Sequence, residues 1–123
     1  MSFSSAKTLS TIAILVWMGA MLPILAAQNA WVASAQLETA LLKEDWATVS
    51  TLLAAQQAPE ARLITAHAYL ALNKNNESLC LFLSVSSREE LTKWEVWTQV
   101  FASEHSTSAI AHYLKGDASA RLE

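Results

Sequence analysis

The three histidines, His67, His105 and His112, are the side chains of this sequence best suited to bind a metal or to transfer a proton near neutral pH. His105 and His112 are seven residues apart, about two helical turns, but the Ser-Thr-Ser segment 106–108 interrupts a shared helix. None of the three stands in an H-E-x-x-H or G-x-S-x-G pattern. We therefore predict no metal site and no catalytic site, and we expect His67 to be packed in the core.

The acidic residues and the glycines give no support to an enzyme either. Glu89 and Glu90 are explained by the first turn of a helix, where the helix dipole favours negative charge. The chain has only 2 Gly, too few for a glycine-rich loop that holds a phosphate or a nucleotide. We predict a protein that is not an enzyme and that needs no cofactor.

Cys80 is the only cysteine, so an internal disulfide is excluded. It lies in the apolar run 79–83 (LCLFL), where we expect it to be a small buried residue and not a reactive thiol. No cysteine follows the apolar segment near the N-terminus, so an anchor of the lipoprotein type has no attachment point.

Composition and charge restrict the fold class and the partners. The small numbers of Gly and Pro, 2 each, leave few positions for sharp turns and favour an all-α fold. Beyond residue 30 the sequence carries seven basic and eleven acidic residues, a net charge of −4. A nucleic acid would be repelled by this charge, so we predict no nucleic-acid partner.

Residues 12–27 (IAILVWMGAMLPILAA) contain no charged or strongly polar side chain, and Lys7 is the only charged side chain before them. This pattern is typical of an export segment. Positive charge near a membrane segment favours the cytoplasmic side, so the remainder of the chain is expected on the other side. We predict two parts, a targeting or anchoring segment over residues 1–30 and an extracytoplasmic domain over residues 31–123.

Two interpretations of the N-terminal segment stay open. Counted from Thr8, the stretch reaches about 20 residues, which is long enough to remain as a membrane anchor, and Trp31 suits the headgroup layer. The small residues at 25–27 and 33–35 equally suit cleavage by a signal peptidase, after which the domain would be exported.

Apolar spacing and capping residues divide residues 31–123 into helices. Pro59 suits the first turn of a helix, and Ser87 with Glu90 forms a capping-box pattern. The run 78–86 equally suits a buried strand, but no second strand is available to pair with it, so we predict a helix. The predicted helices run from about Trp31 to Lys43, from Asp45 to Gln57, from Pro59 to Leu72, from Ser78 to Ser86, from Ser87 past Phe101, and from about Ser106 to Gly116.

Residues 68–82 (AYLALNKNNESLCLF) resemble the middle of a tetratricopeptide repeat, in which a turn joins two packed helices. Asn73 stands where the family usually has glycine, Ser78 where it has alanine, and Phe82 where it has an aromatic residue. The resemblance implies stacked antiparallel helical hairpins, about two and a half irregular repeats, after an N-terminal hydrophobic helix.

Similar turn-helix units occur at residues 43–47 (KEDWA) and 115–120 (KGDASA). The turns are about 29 and about 43 residues apart, whereas the family spacing is about 34. An array of this kind would be irregular, and a generic helical bundle remains the alternative fold.

Two binding surfaces are predicted, both for a protein partner. The resemblance implies that Arg62, Thr65 and Tyr69 face a bound peptide from the inner side of the third helix. Independently, Trp94 and Trp97 lie three residues apart on one helix, and tryptophan is frequent at interface hot spots. The alternative for both tryptophans is a place in the core.

The last predicted helix raises the question of what covers its apolar side. A turn at Lys115–Gly116 would leave Ile110, Tyr113, Leu114 and Leu122 without a covering helix, so we expect a second copy, another subunit or the membrane surface to cover them. The predicted function is a membrane-anchored or exported scaffold that binds another envelope protein. The alternative is a single-span accessory subunit of a larger membrane complex.

Overall fold

The computed structural model describes residues 31–123, and the segment predicted to target or anchor the chain lies outside them. The described residues form an all-α fold with six helices and no strand. The helices are α1 Ala35–Leu42, α2 Trp46–Leu53, α3 Pro59–Ala71, α4 Asn75–Ser84, α5 Arg88–Glu104 and α6 Ala109–Arg121. Within this part of the chain, no helix has the length and apolar character needed to cross a membrane.

Local capping explains most of the helix starts. Asp45 accepts a hydrogen bond from the Thr48 backbone N–H at the start of α2. Pro59 occupies the first turn of α3, as predicted. At the start of α5, the Ser87 hydroxyl accepts from the Glu90 N–H and lies 3.3 Å from the Glu90 carboxylate, which confirms the predicted capping box.

The turns after α1 and α3 have the same geometry. Glu44 and Asn73 both adopt a left-handed conformation, with φ of 55° and 64°. The residue after each one closes the turn by donating its N–H to the carbonyl five positions earlier, with N···O distances of 2.9 Å for Asp45 and 2.8 Å for Lys74. This bond is characteristic of the Schellman motif at helix C-termini. The chain therefore builds the same turn twice, 29 residues apart, at the spacing that the sequence indicates.

Helix α3 lies at the centre of the described fold. It packs against α2, α4 and α5, while α5 also packs against α6 and α1 packs against α2. Residues 60–61 and 63–68 of α3 are all buried and Arg62 is partly buried, so little of its middle turns is open to solvent. Helices α1 and α6 also contact each other, a contact between the first and last of the six described helices that an open array of stacked repeats does not make.

Three local expectations are corrected by the structure. Helix α1 begins at Ala35 with Ser34 as its N-cap, not at Trp31. Helix α6 runs through Gly116 to Arg121, so the expected turn at Lys115–Gly116 is wrong. Cys80 is exposed and not buried, because α4 packs mainly against α3 and turns its other side outward.

The expectation of an uncovered last helix is also wrong for two of its residues. Ile110 and Leu114 are buried inside the described fold, since α6 packs against both α5 and α1. Leu122 is partly buried. Tyr113 is the exception, and about half of its side chain remains exposed.

Candidate binding groove

A cavity of about 390 Å³ lies between the turn after α1, the second half of α3 and the first turns of α6. This volume is within the range of small-molecule and side-chain pockets in proteins, about 300–1,000 Å³. We call it the α3–α6 groove. Its lining residues are Glu44, Trp46, His67, Leu70, Ala71, Ala109, Ile110 and Tyr113.

The rim of the groove is apolar and accessible. Leu70 is 46% exposed and Tyr113 is 51% exposed, and Trp46 is partly buried. Glu44, in the turn after α1, supplies the only carboxylate in the lining. A ligand in the groove would therefore contact mainly apolar side chains, and the Glu44 carboxylate could bind a positively charged group.

The floor of the groove is a histidine whose two ring nitrogens both have polar neighbours. His67 is buried, as predicted. Its Nδ1 is 3.1 Å from the Tyr113 hydroxyl, and its Nε2 is 3.3 Å from Oδ2 of Asp117, although this second contact is not a well-directed hydrogen bond. A carboxylate can only accept, so the tautomer that suits both neighbours has its proton on Nε2 and accepts from the Tyr113 hydroxyl at Nδ1. Both ring nitrogens of His67 thus face side chains of the protein.

Asp117 is the centre of a polar cluster under the groove. Its Oδ2 accepts from Trp94 Nε1 at 3.0 Å and from Arg121 Nε at 2.8 Å. Burial opposes ionisation of this carboxyl, but the close contact with His67 and the hydrogen bonds from Arg121 and Trp94 outweigh that effect and lower its pKa to about 2. Asp117 is therefore charged at neutral pH and joins α3, α5 and α6 through one side chain.

The same cluster changes the properties of its neighbours. Burial, followed by the negative charge of Asp117, raises the pKa of Tyr113, while Arg121 acts in the opposite direction. Tyr113 is thus a stable hydrogen-bond donor at neutral pH. The Arg121 guanidinium lies 4.4 Å from the centre of the Phe82 ring, and the edge of Phe82 meets His67. These contacts connect α4 to the cluster.

The residues predicted to bind a peptide from the third helix do not form an accessible surface together. Arg62 donates to the Gln57 carbonyl, to the carbonyl and hydroxyl of Ser84, and to Glu90 at 2.6 Å. Thr65 is buried and donates to the Ala61 carbonyl in its own helix.

Tyr69 is partly buried, with the Lys74 ammonium 5.4 Å from its ring centre. Of the three residues named by the resemblance, only Tyr69 lies next to the groove in sequence, one position before Leu70. Arg62 instead fastens the end of α4 to the start of α5, and its hydrogen bond lowers the pKa of Glu90.

The two predicted tryptophans lie in an aromatic stack that runs along α5. Trp94 is fully buried. Trp97 is partly buried and stacks between Trp94 and Phe101, with ring-centre distances of 5.8 and 4.9 Å. His105 packs against Phe101 at the end of this stack. Trp94 is therefore a structural side chain whose indole N–H is used by Asp117.

The groove residues were not identified from the sequence as a site. Glu44, Leu70 and Tyr113 are separated by 26 and 43 positions, and no local period connects them. Comparisons of the chain with models of known protein families, with curated proteins and with solved structures found no match.

Proposed function

We propose that this chain is a non-enzymatic interaction module that holds a segment of a partner protein in the α3–α6 groove. The observation that supports it is the accessible apolar rim of that groove, where Leu70 and Tyr113 are each about half exposed. Side chains of this kind gain about 25 cal/mol for each Å² of apolar surface that a partner covers.

The chemistry of the groove favours a particular kind of segment. Its floor is already hydrogen-bonded, so a strongly polar ligand gains little there. Glu44 on the rim favours a Lys or Arg next to an apolar anchor, and the net charge of −4 over residues 31–123 attracts a basic partner. We therefore propose an apolar and basic peptide segment as the occupant, with affinity in the micromolar range since only a few anchors are buried.

Location follows from the N-terminal segment. We propose that residues 1–30 direct the domain out of the cytoplasm, either as a retained anchor or as a cleaved signal, so that the partner is another envelope protein. The apolar run 12–27 and Lys7 support this proposal.

Site-specific photo-crosslinking tests the groove directly. A photoreactive amino acid is placed at Leu70 in one variant of the full-length chain and at Val100, which is similarly exposed on α5 but outside the groove, in a matched control. We expect a discrete crosslinked product from position 70 and none from position 100. Equal products at both positions, or none at either, would contradict the proposal.

Binding measurements with the identified segment then test the chemistry. Leu70→Ser should weaken binding about tenfold, the cost of one lost apolar anchor, while Val100→Ser should leave it unchanged. Glu44→Gln should weaken binding only at low ionic strength, because salt screens an exposed charge.

A second surface favours the alternative function, an accessory subunit of a membrane complex. On α4, Leu79 is 56% and Leu83 is 69% exposed, one turn apart and next to the exposed Cys80. The alternative requires that the mature protein retain the residues before Gln28 as a span. An intact-mass measurement of the native protein that shows cleavage before or at this position would exclude it.

A further inference from the structure

Side chains from α1 and from the C-terminal end of α5 approach each other in a cluster of three residues with metal-binding atoms. Glu38 of α1, Glu104 of α5 and His105 each offer one ligand atom, and these atoms all lie within 4.8 Å of one another. The imidazole Nε2 of His105 is 4.0 Å from Oε1 of Glu38. Glu38 lies 66 residues before Glu104 in the sequence, and Glu104 and His105 are adjacent.

The imidazole nitrogen in this cluster has no hydrogen-bond partner. His105 Nε2 is shielded from solvent and makes no hydrogen bond to any described residue. A buried polar atom left without a partner costs about 1–3 kcal/mol, so such an atom indicates a missing ligand or a functional role. The ring is held in place by Phe101, whose ring centre is 4.9 Å away. This contact places one face of the imidazole against α5, with a ring nitrogen within 4.8 Å of both carboxylates.

The charges around the cluster favour a cation. The C-terminal end of a helix carries partial negative charge, and the last turn of the 17-residue helix α5 contains no basic residue. Glu38 and Glu104 add two carboxylates. Among the ion pairs formed by residues 31–123, none joins a lysine or an arginine to either of them.

We propose that Glu38, Glu104 and His105 bind one divalent transition-metal ion of the zinc class. Imidazole nitrogen with carboxylate oxygen is a donor set that such ions accept, whereas Mg²⁺ and Ca²⁺ prefer oxygen ligands alone. Metal–ligand distances of about 2.0–2.2 Å place neighbouring ligand atoms about 3–3.5 Å apart. The cluster reaches this geometry by rotation of the exposed Glu104 side chain and the partly exposed Glu38, and water completes the coordination.

The proposed ion would act as a structural link. Helices α1 and α5 make no direct backbone-level packing contact, and α1 is held by α2 and α6. A metal bridge from Glu38 to His105 adds a connection between the beginning of the described fold and its longest helix. Metal binding then stabilises the folded state, because the ligands are brought together only by folding.

Metal titration of the full-length chain in mild detergent tests this site. The metal-free protein is titrated with Zn²⁺ at pH 7.5 by calorimetry and with Co²⁺ by visible absorption, and its melting temperature is followed. We expect one equivalent of either ion to bind with micromolar affinity and the melting temperature to rise. No binding tighter than about 100 µM would overturn the proposal.

Variants test whether the metal binds at this cluster or at another histidine. His105→Ala, Glu104→Gln and Glu38→Gln should each weaken binding at least about tenfold, as loss of a ligand does. The matched controls are His112→Ala, which removes an exposed histidine outside the cluster, and Glu95→Gln on the same helix α5. Binding that persists in His105→Ala, or that disappears in His112→Ala, overturns the assignment.

A folding control shows whether a loss of metal binding comes from a lost ligand or from an unfolded variant. Glu104 is exposed, so Glu104→Gln is expected to fold normally, and the helical circular dichroism of its metal-free form is compared with that of the unchanged chain. A folded Glu104→Gln protein that binds Zn²⁺ with unchanged affinity contradicts the proposal. A simple ion pair between protonated His105 and Glu38 would show no response to metal at all.

Discussion

The turns after α1 and α3 can be compared with the segment 115–120, which resembles them in sequence but folds differently. In the two turns a left-handed residue, Glu44 or Asn73, is followed by a backbone bond that closes the helix end. Segment 115–120 has a glycine at the corresponding position, yet it continues as helix α6. Glycine adopts a left-handed conformation more easily than glutamate or asparagine, yet Gly116 is the one of the three residues that stays helical.

The partners of the aspartates explain this difference. Asp45 accepts from the Thr48 N–H and so begins a new helix within its own segment. Asp117 instead accepts from Trp94 on α5 and from Arg121 one turn ahead on α6. Both acceptor bonds require Asp117 to lie inside a continuous helix that faces α5. Long-range packing therefore decides between turn and helix where the local sequence permits both.

We expect the largest effect on stability from Trp94, whose indole N–H donates from α5 to Asp117 on α6. Trp94→Ala should lower the free energy of unfolding by about 3–5 kcal/mol, because it opens a cavity and removes one of the two hydrogen-bond donors to Asp117. Urea unfolding followed by circular dichroism measures it. Val96→Ala, an exposed site on the same helix, should cost less than about 0.5 kcal/mol, and an equal loss in both variants would show that Trp94 is not a core residue.

Asp117→Ala should cost about 2–3 kcal/mol, since the buried indole N–H of Trp94 and the Arg121 guanidinium lose their acceptor. Asp45→Ala removes only a helix cap and should cost about 1 kcal/mol. The comparison between the two segments predicts this order, measured by chemical unfolding of both variants under one condition. A larger loss in Asp45→Ala would remove the explanation given for the continuous helix.

The pH dependence of the free energy of unfolding tests whether Asp117 is ionised in the folded protein. Its pKa is about 2 in the folded protein, below the ordinary value of 3.8 that applies to the unfolded chain, so the unfolded state binds the proton more readily. The stabilisation is complete above about pH 5 and is lost as the pH falls through 4 towards 2. The difference in unfolding free energy between the unchanged chain and Asp117→Asn should follow this course. A difference that grows on acidification would contradict the ionised state.

Glu44→Gly should raise the free energy of unfolding by about 1 kcal/mol. A side chain in the left-handed conformation costs roughly 1–2 kcal/mol, which glycine avoids in part. Asn73→Gly should gain less, since asparagine tolerates this conformation better. Thermal unfolding of the two variants checks whether the turns are equivalent. Destabilisation by Glu44→Gly would show that its side chain has contacts that outweigh the strain.

Gly116→Ala is the smallest and most direct test of the comparison. No atom lies within 4 Å of the position where the added Cβ would stand, and the glycine does not have a positive φ. The substitution should therefore stabilise α6 by about 0.5–1 kcal/mol through helix propensity. If residue 116 formed a left-handed turn, the same change would destabilise the protein, so the sign of the measured shift in melting temperature distinguishes the two conformations.

The local part of the fold was predictable because its signals act over a few residues. Asp45, Pro59 and Ser87 begin their helices where expected, since capping depends on donors two or three positions away. The all-α class followed from few turn residues and helical spacing. The helix predicted over 78–86 was correct as far as Ser84, whereas Val85 is extended, and several of its apolar residues face solvent although they were expected to be buried.

The candidate sites were not predictable because tertiary packing brings together residues that are distant in the sequence. Leu70 and Tyr113 approach each other across the groove only because α3 and α6 pack around His67. Glu38 and His105 are 67 positions apart and carry no metal-binding spacing. Arg62 and Thr65 were expected on a binding face, but α3 is surrounded by three helices, so these side chains bind within the fold.

The exposed position of Cys80 has a practical consequence. Since it is the only cysteine in the chain, a maleimide dye or nitroxide attaches at one defined place without any prior substitution. That place is on α4, outside both the groove and the acidic cluster near His105. A reporter there leaves both candidate sites intact, and distances from it to a labelled peptide or a paramagnetic ion would locate each ligand in the native chain.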